Sequence, residues 1–205
     1  MASNYTELLA EVEDWAKRPD LTSKIPDFVL YAEKRMNRDL TDDAKNTPRQ
    51  MESSADVTIS SQTAALPSDF LKVRRLYITT DPITVLQYLT PDVFWSTNAA
   101  SVSGTPTAYT IEGSNLVFAK SPDSTYTGKL TYQAAIPALV SNTTNWLLTA
   151  APDMYIYASL ISLAQYTRDT EYLNSVSTLY EEAKEALMNG GKYGGALRYV
   201  PKVSP

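Results

Sequence analysis

The chain has 205 residues, with a hydrophobic fraction of 43% and a charged fraction of 20%, the profile of a globular chain able to bury a core. It contains neither histidine nor cysteine, which excludes disulfides, thiolate nucleophiles and Ser-His-Asp or Cys-His triads, and leaves zinc only an unusual all-oxygen site. The formal charge of −5 argues against a surface that wraps nucleic acid by neutralising phosphates, although not against a wall past which DNA slides.

The N-terminus, Met1-Ala2-Ser3-Asn4-Tyr5, lacks a charged start followed by an apolar run, so no signal peptide is expected. No stretch approaches the roughly 20 apolar residues of a spanning helix, and the absence of cysteine fits an intracellular origin. Asn4 is placed to cap a first helix, with Glu7 at its third position as in a capping box. Tyr5, Leu8, Leu9, Val12, Trp15 and Ala16 follow the three-and-four spacing of one buried face, and Pro19 stops the helix. Thr22 or Ser23 caps a second helix, whose stripe is Ile25, Phe28, Val29, Ala32, Met36 and Leu40. Glu33, Lys34, Arg35 and Arg38 are expected outside it.

From Val57 to about Ala135 the period falls to two, with frequent turn residues. Strands are expected near Val57–Ser60, Val73–Thr79, Ile83–Leu86, Ala108–Glu112, Leu116–Ala119 and Lys129–Ala135, with Gly113-Ser114-Asn115 as a hairpin turn. One helical turn, Pro91 to Ser96, interrupts them and carries Phe94 and Trp95, read as an exposed anchor at an interface. Six or so short strands point to a small sandwich or barrel.

Helical periodicity returns with Thr149 as a cap and Pro152 in the first turn. This helix is apolar around much of its circumference (Tyr155, Ala158, Leu160, Ile161, Leu163, Ala164) and is expected to be the most buried. Asp169 or Thr170 starts the last helix, with the stripe Leu173, Val176, Leu179, Tyr180, Ala183 and Leu187, and Gly190-Gly191 ends it. Neither terminal hairpin can bury its stripe alone, so the two are expected to pack together, with Trp15, Phe28, Leu160, Ile161 and Leu179 in one core. The fold class is therefore α+β. Residues 1–50 and 145–190 form a discontinuous helical bundle, 51–144 an inserted antiparallel β domain, and 191–205 an extended, flexible C-terminal tail.

Carboxylate chemistry has weak support. Asp42 and Asp43, and Glu181 and Glu182, are adjacent pairs that do not share a helical face, which is poor geometry for a two-carboxylate hydrolase. The glycines Gly190, Gly191, Gly194 and Gly195 follow a helix and precede no Lys-Ser or Lys-Thr step, so they read as a helix stop and hinge rather than a phosphate loop. Asn142-Thr143-Thr144 fits a glycosylation sequon but reads as loop chemistry. The 14 tyrosines, among them Tyr155, Tyr157, Tyr166, Tyr172 and Tyr180, suit either a core with bonded hydroxyls or a subunit interface.

The run Ile25-Pro26-Asp27-Phe28 with Ala32-Glu33-Lys34-Arg35-Met36-Asn37-Arg38-Asp39-Leu40 resembles the first helical hairpin of bacteriophage adaptor proteins. Leu66-Pro67-Ser68-Asp69-Phe70-Leu71, Pro106-Thr107-Ala108-Tyr109, and Asn145-Trp146-Leu147-Leu148 with Ala151-Pro152-Asp153-Met154-Tyr155 agree in order. Over roughly residues 5 to 189 the chain is similar to head-to-tail adaptors of the tail tubular protein A type and to head-completion connectors. The resemblance implies a non-enzymatic structural virion protein without cofactor or metal, made in the host cytoplasm and placed at the head–tail interface. It implies a homo-oligomeric ring, usually of twelve copies, that binds the portal protein and extends the DNA channel. Tail, nozzle or fibre proteins would attach below, and DNA would pass during ejection without sequence-specific binding. Candidate interface residues are Phe94 and Trp95, with Lys192, Tyr193, Leu197, Arg198, Tyr199, Val200 and Lys202 of the tail. Two other functions stay open: a tail-associated cell-wall hydrolase using carboxylates, and a generic intracellular module that captures a peptide on a strand edge.

Overall fold

In chain order the elements of the computed structural model are α1 (Tyr5–Ala16), α2 (Ile25–Asp42), β1 (Glu52–Ile59), β2 (Thr63–Ala65), β3 (Phe70–Ile78), β4 (Thr84–Val85), β5 (Gln87–Tyr88), α3 (Pro91–Thr97), β6 (Ala108–Glu112), β7 (Asn115–Phe118), β8 (Tyr126–Ala134), α4 (Trp146–Ala150), α5 (Pro152–Thr167) and α6 (Thr170–Gly190). The structure describes residues 2–42, 47–97 and 102–190. The chain divides into two units: Met1–Arg49 with Ile136–Pro205, and Gln50–Ala135.

In the first unit α1, α4 and α6 start at polar residues whose side chains satisfy free N–H groups. Asn4 Oδ1 accepts from the Glu7 amide at 3.0 Å, and the Glu7 carboxylate takes the Ser3 amide and hydroxyl at 2.8 and 2.7 Å. These bonds hold the Glu7 carboxyl below the usual range. Lys17, at φ 50, ends α1 in the left-handed region. A 3-10 turn, Pro19–Lys24, then runs directly into α2, so Thr22 does not cap that helix; its hydroxyl bonds Glu13 and the Pro19 carbonyl instead.

The cap expected at Thr149 for α5 is not formed: α5 starts from Ala151 with no side-chain cap, and Thr149 lies inside the short α4 before it. Asn145 Oδ1 accepts from the Leu148 amide at 2.8 Å and starts the short α4, while Thr149 bonds back to the Asn145 carbonyl. Asp169 caps α6 through the Tyr172 amide at 3.0 Å. The helix α5 is buried around most of its circumference and packs against α1, α2 and α6, so both ends of the chain share one core. Each of its buried aliphatic side chains contributes roughly 1.5–3 kcal/mol by leaving water.

Phe28, Leu160 and Ile161 are buried as expected, but Trp15 is 46% exposed and Leu179 is also exposed. The buried row of α6 is Val176, Tyr180 and Ala183, and Leu179 sits on its flank. Trp15 lies near the end of α1, past the buried Leu8 and Val12, and its ring meets Tyr157 at a near-right angle.

The second unit has two four-stranded sheets, ordered β1-β8-β3-β4 and β2-β7-β6-β5. All named pairs are antiparallel except β5 with β6. The inward rows of both sheets meet in one apolar cluster. Val57, Ile59, Leu76, Ile78, Leu130 and Tyr132 come from the first sheet; Tyr109, Leu116 and Phe118 come from the second. Gly113, at φ 59, supplies the left-handed residue of the two-residue turn that joins β6 to β7.

Among the described residues there are eight strands rather than six. β2 and β5 are too short to show alternation. β1 begins at Glu52 rather than Val57, because Ser53 and Ala55, on its inner side, are too small to mark a core row. The segment 84–88 gives an edge strand to each sheet, with buried Leu86 between them.

Candidate interaction surfaces

The polar residues of the second helix do more than solvate it. Glu33, expected on the outer face, is buried at 5% exposure. It lies one helical turn beyond Val29, close enough to the apolar stripe to face inward. Its carboxylate accepts the Leu139 amide at 2.8 Å and the Tyr155 hydroxyl. That hydroxyl in turn accepts from Asn145 Nδ2 at 2.6 Å.

One turn on, Asn37 Oδ1 accepts the Ile136 amide at 2.9 Å, and its Nδ2 donates to the Glu33 carbonyl at 3.0 Å. Arg35 donates to Gln165 at 3.1 Å, and Asp39 accepts the Tyr180 hydroxyl at 2.7 Å. The run Glu33–Asp39 therefore ties segment 136–139 and helices α5 and α6 to α2. The sequence signal for this was a carboxylate and an amide four residues apart beside an apolar stripe.

Burial pushes the Glu33 carboxyl above its ordinary range, with the Leu139 and Tyr155 bonds opposing it. The folded state thus holds the Glu33 proton more tightly than the unfolded chain does. The resulting stabilisation is present below the ordinary glutamate value of 4.5 and is lost as pH rises through the raised value. Glu33→Gln keeps an acceptor for Leu139 and removes the buried charge, so its stability relative to the parent should grow from acid to neutral pH in urea titrations. Glu33→Ala should instead cost about 1–3 kcal/mol, because it leaves the Leu139 amide and Tyr155 hydroxyl without this partner.

Above this network lies a shallow, mostly apolar groove lined by Tyr5, Pro26, Val29, Leu30 and Val140, with Asp27 and Glu33. Val140 is 72% exposed, and Leu30 is exposed beside it in the groove. The Tyr5 amide, donating to the Thr143 carbonyl at 2.8 Å, fixes one wall. On α1, Glu7 and Asp14 are exposed, and Asp14 pairs with Lys17 at 2.6 Å. The tyrosines divide. Tyr155 and Tyr180 are core residues with bonded hydroxyls, and burial pushes both phenols up. Tyr166 is exposed, with its ring tilted against Phe28.

In the second unit Phe94 is 1% exposed, packed with Ala108, Val117, Ala119 and Leu89, and so cannot be the exposed anchor expected of it. The short helix α3, seven residues long, lies on β6 and turns Phe94 inward to cover the sheet. Trp95, the next residue, points out at 48% exposure, with its Nε1 donating to Glu112. Sequence reasoning missed the exposed apolar side chains Val85 and Tyr88, on the two edge strands, and Ile83 just before the first of them. Their runs were too short to separate an inner from an outer face.

Lys192, Tyr193, Leu197, Arg198, Tyr199, Val200 and Lys202 lie outside the described residues, as does Asp43. Glu181 and Glu182 are exposed, Glu181 pairing with Lys184 at 2.5 Å. Among the described residues no group of three or more His, Cys, Asp or Glu is placed to hold a metal, and no helix is long and apolar enough to cross a membrane. Among the described residues these surfaces offer apolar and aromatic contact area. A search of curated proteins gave no match. The family model described as SU10 adaptor protein matches residues 3–200.

Proposed function

This chain belongs to the SU10 adaptor protein family, a phage head-to-tail adaptor type, and from that premise we propose that identical copies form a ring beneath the portal at one vertex of the capsid. The ring, with twelve copies as its expected number, continues the DNA channel and offers a platform for tail or nozzle proteins. The protein is a structural component of the virion, made in the host cytoplasm, and does no catalysis. The observation that carries this reading is the family match, which extends over both helical ends and the β insertion alike. The exposed apolar side chains on each unit support it, since contiguous apolar surface is what subunit contacts bury.

Mixing the purified chain with portal oligomers should give a complex heavier than the portal by a whole-number multiple of 22.7 kDa. A portal that leaves a sizing column unaccompanied at micromolar concentrations would count against the reading.

A ring that passes DNA works best with an acidic or neutral lining, because phosphate neutralisation would hold the genome in place. The net charge of −5 permits such a wall, and the outer face of α1, with Glu7, Glu11 and Asp14, is one candidate for it. Lysines introduced at lining positions should slow DNA ejection, and the slowing should fade as salt rises. Ejection rates indifferent to lysines at all three positions would remove α1 from the channel wall.

A further inference from the structure

Strand β1 runs for eight residues at the outer side of its sheet, and among the described residues no strand pairs with its other edge. A long edge of that kind presents a row of backbone donors and acceptors ready to pair with an extended chain. Its side chains alternate. Ala55, Val57 and Ile59 face the core side, whereas Glu52, Ser54, Asp56 and Thr58 face out.

The fifteen residues after Gly190 carry a partly complementary alternation, broken by Val200, an apolar residue on an even position. Lys192, Arg198 and Lys202 all fall on even positions; Tyr193, Leu197 and Tyr199 all fall on odd ones; and the segment holds no acid. The two charge pairs also share a spacing: Glu52 and Asp56 are four apart, as are Arg198 and Lys202. Fully extended, the segment spans about 50 Å, ample for the roughly 26 Å of β1.

We propose that the C-terminal segment of a neighbouring copy adds to the open edge of β1 as an antiparallel strand. In the register that aligns the charges, Lys202 stands opposite Glu52 and Arg198 opposite Asp56. The same register sets Tyr199 beside Ala55 and Leu197 beside Val57, extending the inner apolar row by one strand. Backbone hydrogen bonds hold the added strand, as in other β-augmentation complexes.

The charges select the register rather than supply the affinity. Glu52 already takes Arg74 at 2.6 Å and Asp56 takes Lys129 at 3.1 Å, but each carboxylate retains acceptor sites for a second cation. The partner is a second copy because the proposed ring, on which this inference rests, sets identical chains side by side.

The chain's lack of cysteine allows a direct test. Ser54→Cys in one copy and Val200→Cys in another would face each other in this register, within the roughly 4.4–6.8 Å that a disulfide tolerates between Cα atoms. Particles assembled from the two variants together and then mildly oxidised should yield a covalent dimer. The pair Thr58→Cys with Val200→Cys, four residues out of register, should not. Particles that contain the chain at the portal vertex but give no dimer would overturn the inference and leave the ring reading intact. A bridge formed only within a chain carrying both cysteines would overturn it too. Particles lacking the chain at that vertex would overturn the ring reading itself.

Discussion

Phe28→Ala should lower stability by about 3–5 kcal/mol, the usual cost of emptying a fully enclosed phenylalanine site. Phe28 leaves the second helix at 3% exposure and packs with Leu21 and with Leu163 of the penultimate helix, while Tyr166 leans on its ring. The contact joins two segments more than 130 residues apart in sequence, so the loss should appear as weakened cohesion of both chain ends rather than local fraying. Trp15→Ala is the paired control. Its ring is almost half in solvent and meets Tyr157 edge-on at 5.8 Å, so truncation should cost roughly 1 kcal/mol. Equal losses for the two variants in urea titrations would contradict this ranking.

Deletion after Gly191 should leave the fold intact and abolish docking. The removed residues hold three of the chain's 18 basic side chains and none of its 23 acidic ones, together with Tyr193, Leu197, Tyr199 and Val200. The described cores of both units are built from residues between Ala2 and Ala183, so the thermal midpoint of the truncated chain should match the parent's. Particles built with it should lose the ring, because the segment is the proposed bridge between copies. Normal particles from the truncated chain would refute that role, and a collapsed thermal midpoint would assign the segment to the fold instead.

Much of the helical unit was legible because its signals are local and repeated. The Asn4 cap, the stripe from Ile25 to Leu40 and the apolar α5 each follow from spacing alone. The failures share a physical cause. Trp15, Leu179 and Phe94 are large apolar side chains whose burial depends on what stands opposite them, and periodicity does not carry that information. Glu33 was read by its charge, yet its position one turn past Val29 and the amide of Leu139, 106 residues away, decide its burial. Thr149 reads as the cap of α5 because it stands just before Pro152, but α5 starts from Ala151 without a side-chain cap, and Asn145 caps the short α4 ahead of it while also reaching Tyr155 and the Pro137 carbonyl. For interaction surfaces the legible part was composition. The exposed Val85 and Tyr88 of the edge strands became visible only when the strand order was known.

Imaging intact particles at the portal vertex, without imposed symmetry in the first reconstruction, bears most directly on the proposed role. Expected is a closed ring of this chain beneath the portal, with the DNA channel running through it and tail proteins seated below. Portal and tail proteins in direct contact, with this chain elsewhere in the particle or absent from it, would contradict the adaptor role.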